Sequence, residues 1–219
     1  IYTWDGSAWV QRGSDIDGEA VNDLSGNSTS LNSDGTVIAI GAANNDGNGN
    51  AAGHTRIYTW DGNAWVQRGN DIDGGPLGGG AGSGALHYSG YSVSLSDDGS
   101  IVAIGALRGG SNNGGYTRIY AWNGSAWVQR GNDIDGEAAA DNSGWSVSLS
   151  SDGSTVAIGA TGNDGNGDNS GHVRVFSLTS DSTAEITTAE SPAEITITAD
   201  SAGVPFSLSS STSSSSSFS

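Results

Sequence analysis

The sequence predicts an all-β, helix-free chain built from four-stranded antiparallel blades of a β-propeller repeated in tandem. Three observations predict it. The string Ile-Tyr-Thr-Trp-Asp-Gly-x-Ala-Trp-Val-Gln-Arg-Gly-x-Asp-Ile-Asp-Gly starts at Ile1 and returns almost unchanged from Ile57 and Ile119, with a degenerate restart at Val175. A unit recurring about every 60 residues marks a stacked or radial repeat architecture. Short apolar runs separated by Asp-Gly or Asn-Gly pairs fill each unit, and those pairs are hairpin signals. No segment of the three copies carries the helical period of about 3.6 residues.

The elements follow in order within each copy. The first strand, at 28–31, 92–96 and 146–150, alternates serine with Val or Leu, so Val93 and Leu95 share one face and the serines the other. Asp34-Gly35, Asp98-Gly99 and Asp152-Gly153 turn the chain, since both residue types tolerate positive φ. The second strand, Val37–Ala42 with copies at 102–106 and 156–160, is apolar on both faces and is expected to be the most buried. A Gly/Asn/Asp loop leads to the third strand, Thr55–Trp60, which turns at Asp61-Gly62 into the fourth, Ala64–Arg68. Length changes between copies, such as the insertion between Gly74 and Gly90, fall in loops.

The phase of the repeat predicts incomplete blades. The chain enters on a third and fourth strand and leaves after a third. That is about three blades, where closed propellers have about four to eight. The expectation is a part of a larger propeller, a propeller completed by another chain, or an open array whose terminal strands pair head to tail. Three regions result: repeats over 1–178, further strands over 179–206 that cap the array or open another domain, and a Ser-rich tail or linker over 207–219.

Composition narrows the function classes. The net charge is -17, there are 36 Gly and no Cys, and all seven basic residues are Arg. Such a surface repels phosphate, so nucleic acid is not an expected partner. A disulfide framework and thiolate metal sites are excluded. No apolar run approaches the roughly 20 residues of a membrane span.

Several motifs could carry chemistry. Asp164, Asn166 and Asp168 match the opening of a calcium loop, in which alternate side-chain oxygens converge on one hard cation. Asp46, Asn48 and Asn50 repeat it with one carboxylate fewer, and the middle copy has Arg108 and no acid there. The alternative is a turn made of residues that accept left-handed backbone angles. The recurring Asp-Ile-Asp element (Asp15/Asp17, Asp71/Asp73, Asp133/Asp135) could bind a cation or serve acid/base chemistry, but identical recurrence beside Arg12, Arg68 and Arg130 favours Arg/Asp pairing or turn capping. The pairs Trp4/Trp9, Trp60/Trp65 and Trp122/Trp127 would stack on sugar rings if exposed, or on a neighbouring blade if buried. His54 and His172 hold equivalent places where the middle copy has Tyr116, which favours packing over metal ligation. Asn27 and Asn123 open N-x-S/T sequons and are glycosylation candidates in a secreted protein. Polar residues repeat evenly, whereas catalysis needs an asymmetric constellation, so no enzyme is expected.

Aligned on the second strand, the copies resemble FG-GAP repeats, the blades of the integrin α-subunit propeller and its microbial relatives. Ser143-Gly144 stands for the leading Phe-Gly, Trp145–Leu149 for the first strand, Val156–Ala160 for the Gly-Ala-Pro strand and Gly171–Phe176 for the third. The likeness runs over 1–178. The leading Phe and the Pro are replaced, and the place of the family's calcium loop holds only the tight turn Ser151-Asp152-Gly153. The resemblance implies an extracellular or cell-surface propeller used for adhesion or protein interaction, and brings no ligand site with it. The expected function is therefore a non-enzymatic scaffold or adhesion module partnered by a protein or by copies of itself in a filament. The alternative is a lectin-like propeller that binds glycans through the repeated Trp and Asp/Asn.

Overall fold

The computed structural model describes residues 1–75 and 86–178, all within the first unit of the chain, Ile1–Asp181. The expected strands over 179–206, the tail over 207–219 and most of the inserted loop lie outside the described residues.

The described residues form fifteen strands and no helix. A hairpin of β1 (Tyr2–Trp4) and β2 (Trp9–Gln11) comes first. The second sheet has β3 (Ser25–Leu31), β4 (Val37–Ala42), β5 (His54–Trp60), β6 (Trp65–Gln67) and β7 (Ile72–Asp73). The third repeats it as β8 (Ser89–Leu95), β9 (Ile101–Ala106), β10 (Tyr116–Trp122), β11 (Trp127–Gln129) and β12 (Ile134–Asp135). The fourth has β13 (Ser143–Leu149), β14 (Thr155–Ala160) and β15 (His172–Ser177). All neighbours within a sheet are antiparallel and follow sequence order, except that β7 pairs with β5 and β12 with β10.

The fourth strand differs from its expectation. It is split: β6 pairs with the second half of β5, Trp60 opposite Trp65, and β7 with the first half, Thr55 opposite Ile72. The break between them lets Arg68 leave the sheet. The turns also differ in one respect. Gly35, Gly99 and Gly153 have positive φ, but the preceding Asp does not. The carboxylate is what the turn uses: Asp34 accepts hydrogen bonds from the backbone N–H and the hydroxyl of Thr36, and Asp61 caps the next turn through Asn63 and Ala64.

The first strand alternates as expected, and its two faces meet different sheets. Val93 and Leu95 pack on Val37, Ala39 and Ile57 of the preceding sheet. The serines face the following sheet. Ser92 donates to the carbonyl of Gly144, and Ser94 accepts from the N–H of Leu149. Ser28 and Ser30 treat Gly90 and Leu95 in the same way. This backbone approach requires glycine: a Cβ on Gly41 would strike the carbonyl of Gly90, and one on Gly105 that of Gly144. The second strand supplies both faces of the core. Val102 and Ile104 face backward, Ala103 forward, and every residue of β4 is buried.

Candidate functional site

The first two junctions between repeats have an outer aromatic clasp, and all three have an inner polar cluster. The clasp is made by the triplicate string. Arg12 lies over the rings of Trp60 and Trp65, 4.8 and 5.6 Å from their centroids, and donates to the carbonyl of Gly35. The indole of Trp65 donates back to the carbonyl of Arg12 at 2.8 Å. Arg68 does the same with Trp122, Trp127 and Gly99. The arginine of one copy therefore holds the tryptophan pair of the next, by cation–π attraction worth about 0.5–2 kcal/mol. These arginines therefore do not pair with the Asp-Ile-Asp carboxylates: the first Asp of each element accepts from glutamine, Gln11 to Asp15, Gln67 to Asp71 and Gln129 to Asp133, and Asp133 meets a different arginine, Arg118. Trp4 and Trp9 pack on each other, with ring centroids 5.5 Å apart, and are exposed.

Beside each clasp lies a groove. The first, about 460 Å³, is lined by Ser14, Asp15, Asp17, Tyr58, Asn63 and Trp65. The second, about 330 Å³, repeats it with Asn70, Asp71, Asp73, Tyr120, Ser125 and Trp127.

The inner cluster differs between junctions. At the first, Glu19, His54, Arg56 and Asp71 meet: His54 Nδ1 is 3.8 Å from Glu19 and 3.9 Å from Asp71, and Arg56 is 3.7 Å from Glu19. At the second, Gly75 stands where Glu19 stood and Tyr116 replaces His54. Arg118, without a glutamate to meet, turns to Asp133 with two hydrogen bonds of 2.8 and 2.9 Å. Burial pushes the Asp133 carboxyl up, but these bonds outweigh it and hold the group below its ordinary value. The third junction returns to the first pattern, with His172 and Arg174 3.6 and 3.8 Å from Glu137.

A neighbouring pair changes in step. Buried Asp23 accepts from Asn45 at 2.9 Å, and Asp141 from Asn163 at 3.1 Å. In the middle copy His87 takes the aspartate's place against Tyr116, with ring centroids 5.9 Å apart, and Gly109 clears the space it needs. Burial, helped by the nearby Arg118, lowers the pKa of His87.

The loop residues are exposed and organised by their own backbone. Asp46 accepts from the N–H of Ala51, and Asp164 from that of Asn169, both at 2.7 Å. Asn48 donates to the carbonyl of Gly74. Asp168 accepts from the side chain of Asn169, while the N–H of Asn166 reaches Ser170. Asn50 is exposed at the loop's end. Of the sequon residues, exposed Asn27 donates to the carbonyl of Tyr91, and exposed Asn123 caps the turn through Ser125 and Ala126.

Sequence reading missed Glu19 and Glu137. The signal was present: each glutamate accompanies a histidine (His54, His172), and Gly75 accompanies Tyr116.

The FG-GAP repeat family model matches residues 134–176, which bears out the resemblance carried by Ser143–Phe176. No curated protein sequence matches the chain. Among solved structures, a chain titled Kuenenia stuttgartiensis Hydrazine Synthase is similar at 12% identity with a TM-score of 0.42. The match covers 69% of this chain and 33% of that one, so this chain spans about a third of its length. No helix among the described residues is long and apolar enough to cross a membrane.

Proposed function

We propose that the chain is a non-enzymatic, extracellular scaffold or adhesion module of β-propeller blades, and that its two end faces dock further copies head to tail. One observation carries this reading. The surface that each inner sheet buries under its neighbour is repeated at the ends, where it is bare on β15 and, at the other end, bare at Leu31 of β3 while Ile1 and Ile16 cover Ile38 and Ile40 of β4. Ile57 is 1% exposed under the next sheet, whereas Val175, its equivalent on β15, is 65% exposed and Val173 67%. At the other end Leu31 is 48% exposed where Leu95 is 7%. Burying such a side chain fully contributes about 1.5–3 kcal/mol, and a surface that fits a neighbour twice inside the chain fits it again outside.

The geometry is heterologous: one end face meets the other, and such contacts form rings or open filaments. β1 and β15 fill equivalent places in the repeat, so docking requires one of them to give way. β15 has no outer strand among the described residues and is held only by β14. Negative-stain microscopy of the purified chain tests the proposal. Rods of variable length support it; discrete single-chain particles at every concentration contradict it.

A second reading is favoured by the paired grooves. Tyr58, Trp65, Asp15 and Asn63 combine an aromatic wall with hydrogen-bonding groups, the combination that a sugar ring needs. A polysaccharide titration that quenches tryptophan fluorescence, and fails to do so after Trp65→Ala, supports this lectin-like role. An unquenched wild-type protein contradicts it.

A further inference from the structure

We propose that Glu19, His54 and Asp71 form a binding site for a divalent transition-metal ion of the Zn2+ type. The three side chains come from separate elements: Glu19 from the connection between β2 and β3, His54 from the start of β5, and Asp71 from the segment that leads into β7. One ligating atom from each lies within 4.8 Å of the other two. Around a tetrahedral ion with bonds of about 2.0–2.2 Å, ligand atoms stand about 3.4 Å apart. The observed 3.8 and 3.9 Å from His54 Nδ1 to the two carboxylates close to that spacing with shifts of a few tenths of an ångström.

The histidine gives the independent sign. His54 is 2% exposed, and buried polar groups are ordinarily hydrogen-bonded. Its Nδ1 is aimed at two carboxylate oxygens, yet stands beyond hydrogen-bond reach of both. An ion placed between them would bond one atom of each of the three groups.

The carboxylates are oriented for the task. Asp71 accepts from Gln67 through Oδ1 at 2.6 Å and turns Oδ2 to the histidine. Glu19 faces Arg56 through Oε1 and the histidine through Oε2. Asp71 thus has one oxygen held by a hydrogen bond and one presented, the arrangement by which outer groups fix metal ligands, while Glu19 has only the longer ion pair with Arg56. Arg56 offsets one of the two negative charges. Glu19 is exposed and Asp71 half-buried, so an ion can enter and water can complete its coordination. One imidazole and two carboxylates suit a first-row ion such as Zn2+. At the second junction the glutamate and the histidine are absent together and Asp133 is taken by Arg118. At the third, Glu137 and His172 recur 3.6 Å apart, two of the three ligands among the described residues.

The test is a zinc titration of the EDTA-stripped full chain, followed by calorimetry and by thermal melting. One tight equivalent is expected, with the melting temperature raised by about 5 °C at saturating zinc. His54→Asn and Glu19→Gln should each abolish the tight equivalent, while His172→Asn should leave it in place. If His54 only forms an ion pair, His54→Asn will lower the melting temperature equally with EDTA and with zinc. That result, a wild-type melt indifferent to zinc, or tight binding that survives His54→Asn would overturn the proposal.

Discussion

Ile57 and Val175 hold the same place in the repeat, and almost everything around them differs. Ile57 is closed under Val93 and Leu95 of the next sheet, while Val175 meets solvent. The same contrast separates Leu95 from Leu31 and Gly41 from Gly159. A Cβ on Gly41 would strike the Gly90 backbone of the next sheet, but on Gly159 it would meet only Ser146 of its own sheet. The core of this molecule is therefore not inside the sheets but between them. A residue's energetic weight is set by whether a neighbour follows, more than by its own identity. In such arrays stability is close to a sum of unit and interface contributions.

Paired substitutions sharpen that contrast. Ile57→Ala should cost about 4 kcal/mol, the usual range for opening a cavity in a packed core, and Val175→Ala less than about 0.5. Urea denaturation of the two variants, diluted until each is a single chain, reads the difference directly. Equal losses there would mean that β15 is covered within one chain, whereas a Val175→Ala loss that grows with protein concentration is what end-to-end docking predicts. Gly41→Ala should cost about 3 kcal/mol by forcing two sheets apart, against about 1 for Gly159→Ala. The clasp predicts a smaller gap. Arg68→Gln removes the contacts with Trp122 and Trp127 and the bond to Gly99, for about 2 kcal/mol. Arg130 reaches only the carbonyl of Leu178 among the described residues, and Arg130→Gln should cost about half as much. Tryptophan emission should shift in the first variant and hold in the second.

Acid gives the smallest effect. The carboxyl of Asp133 is held below its ordinary value in the folded chain. Its contribution to stability is therefore complete above the unfolded value of about 4 and is lost as pH falls through the lowered one. The urea midpoint of the wild type should fall below about pH 4, and that of Asp133→Asn should fall less steeply. An identical pH profile for both would show that the Arg118–Asp133 pair contributes nothing.

Much of this was legible in the sequence because the signals are local. Alternation in the first strand, the apolar run of the second and the Asp-Gly turns each lie within a few residues, and all produced the expected elements. The two-residue β7 was not legible, since Ile72–Asp73 is too short to show a period and read only as a carboxylate pair. The partner of Arg12 was missed for a different reason. It lies in the next copy, at Trp60 and Trp65, and a repeat identical in each unit does not show which unit a side chain reaches. The inner cluster was hidden by the same averaging. Tyr116 made His54 read as a packing residue, and nothing in the sequence showed that Glu19 and Asp71 lie beside it.

Head-to-tail docking would make the exposed parts of the two end faces one interface divided between two molecules. Sedimentation velocity of Val173→Asp and Leu31→Asp, singly and mixed, tests it most directly. Each variant spoils one face and leaves the other intact, at sites exposed enough to keep the fold. The wild type should form a concentration-dependent series of assemblies, each variant alone should remain a single chain, and the mixture should give a dimer and nothing larger. A wild type that stays a single chain at every concentration, or variants that assemble as the wild type does, would contradict the claim.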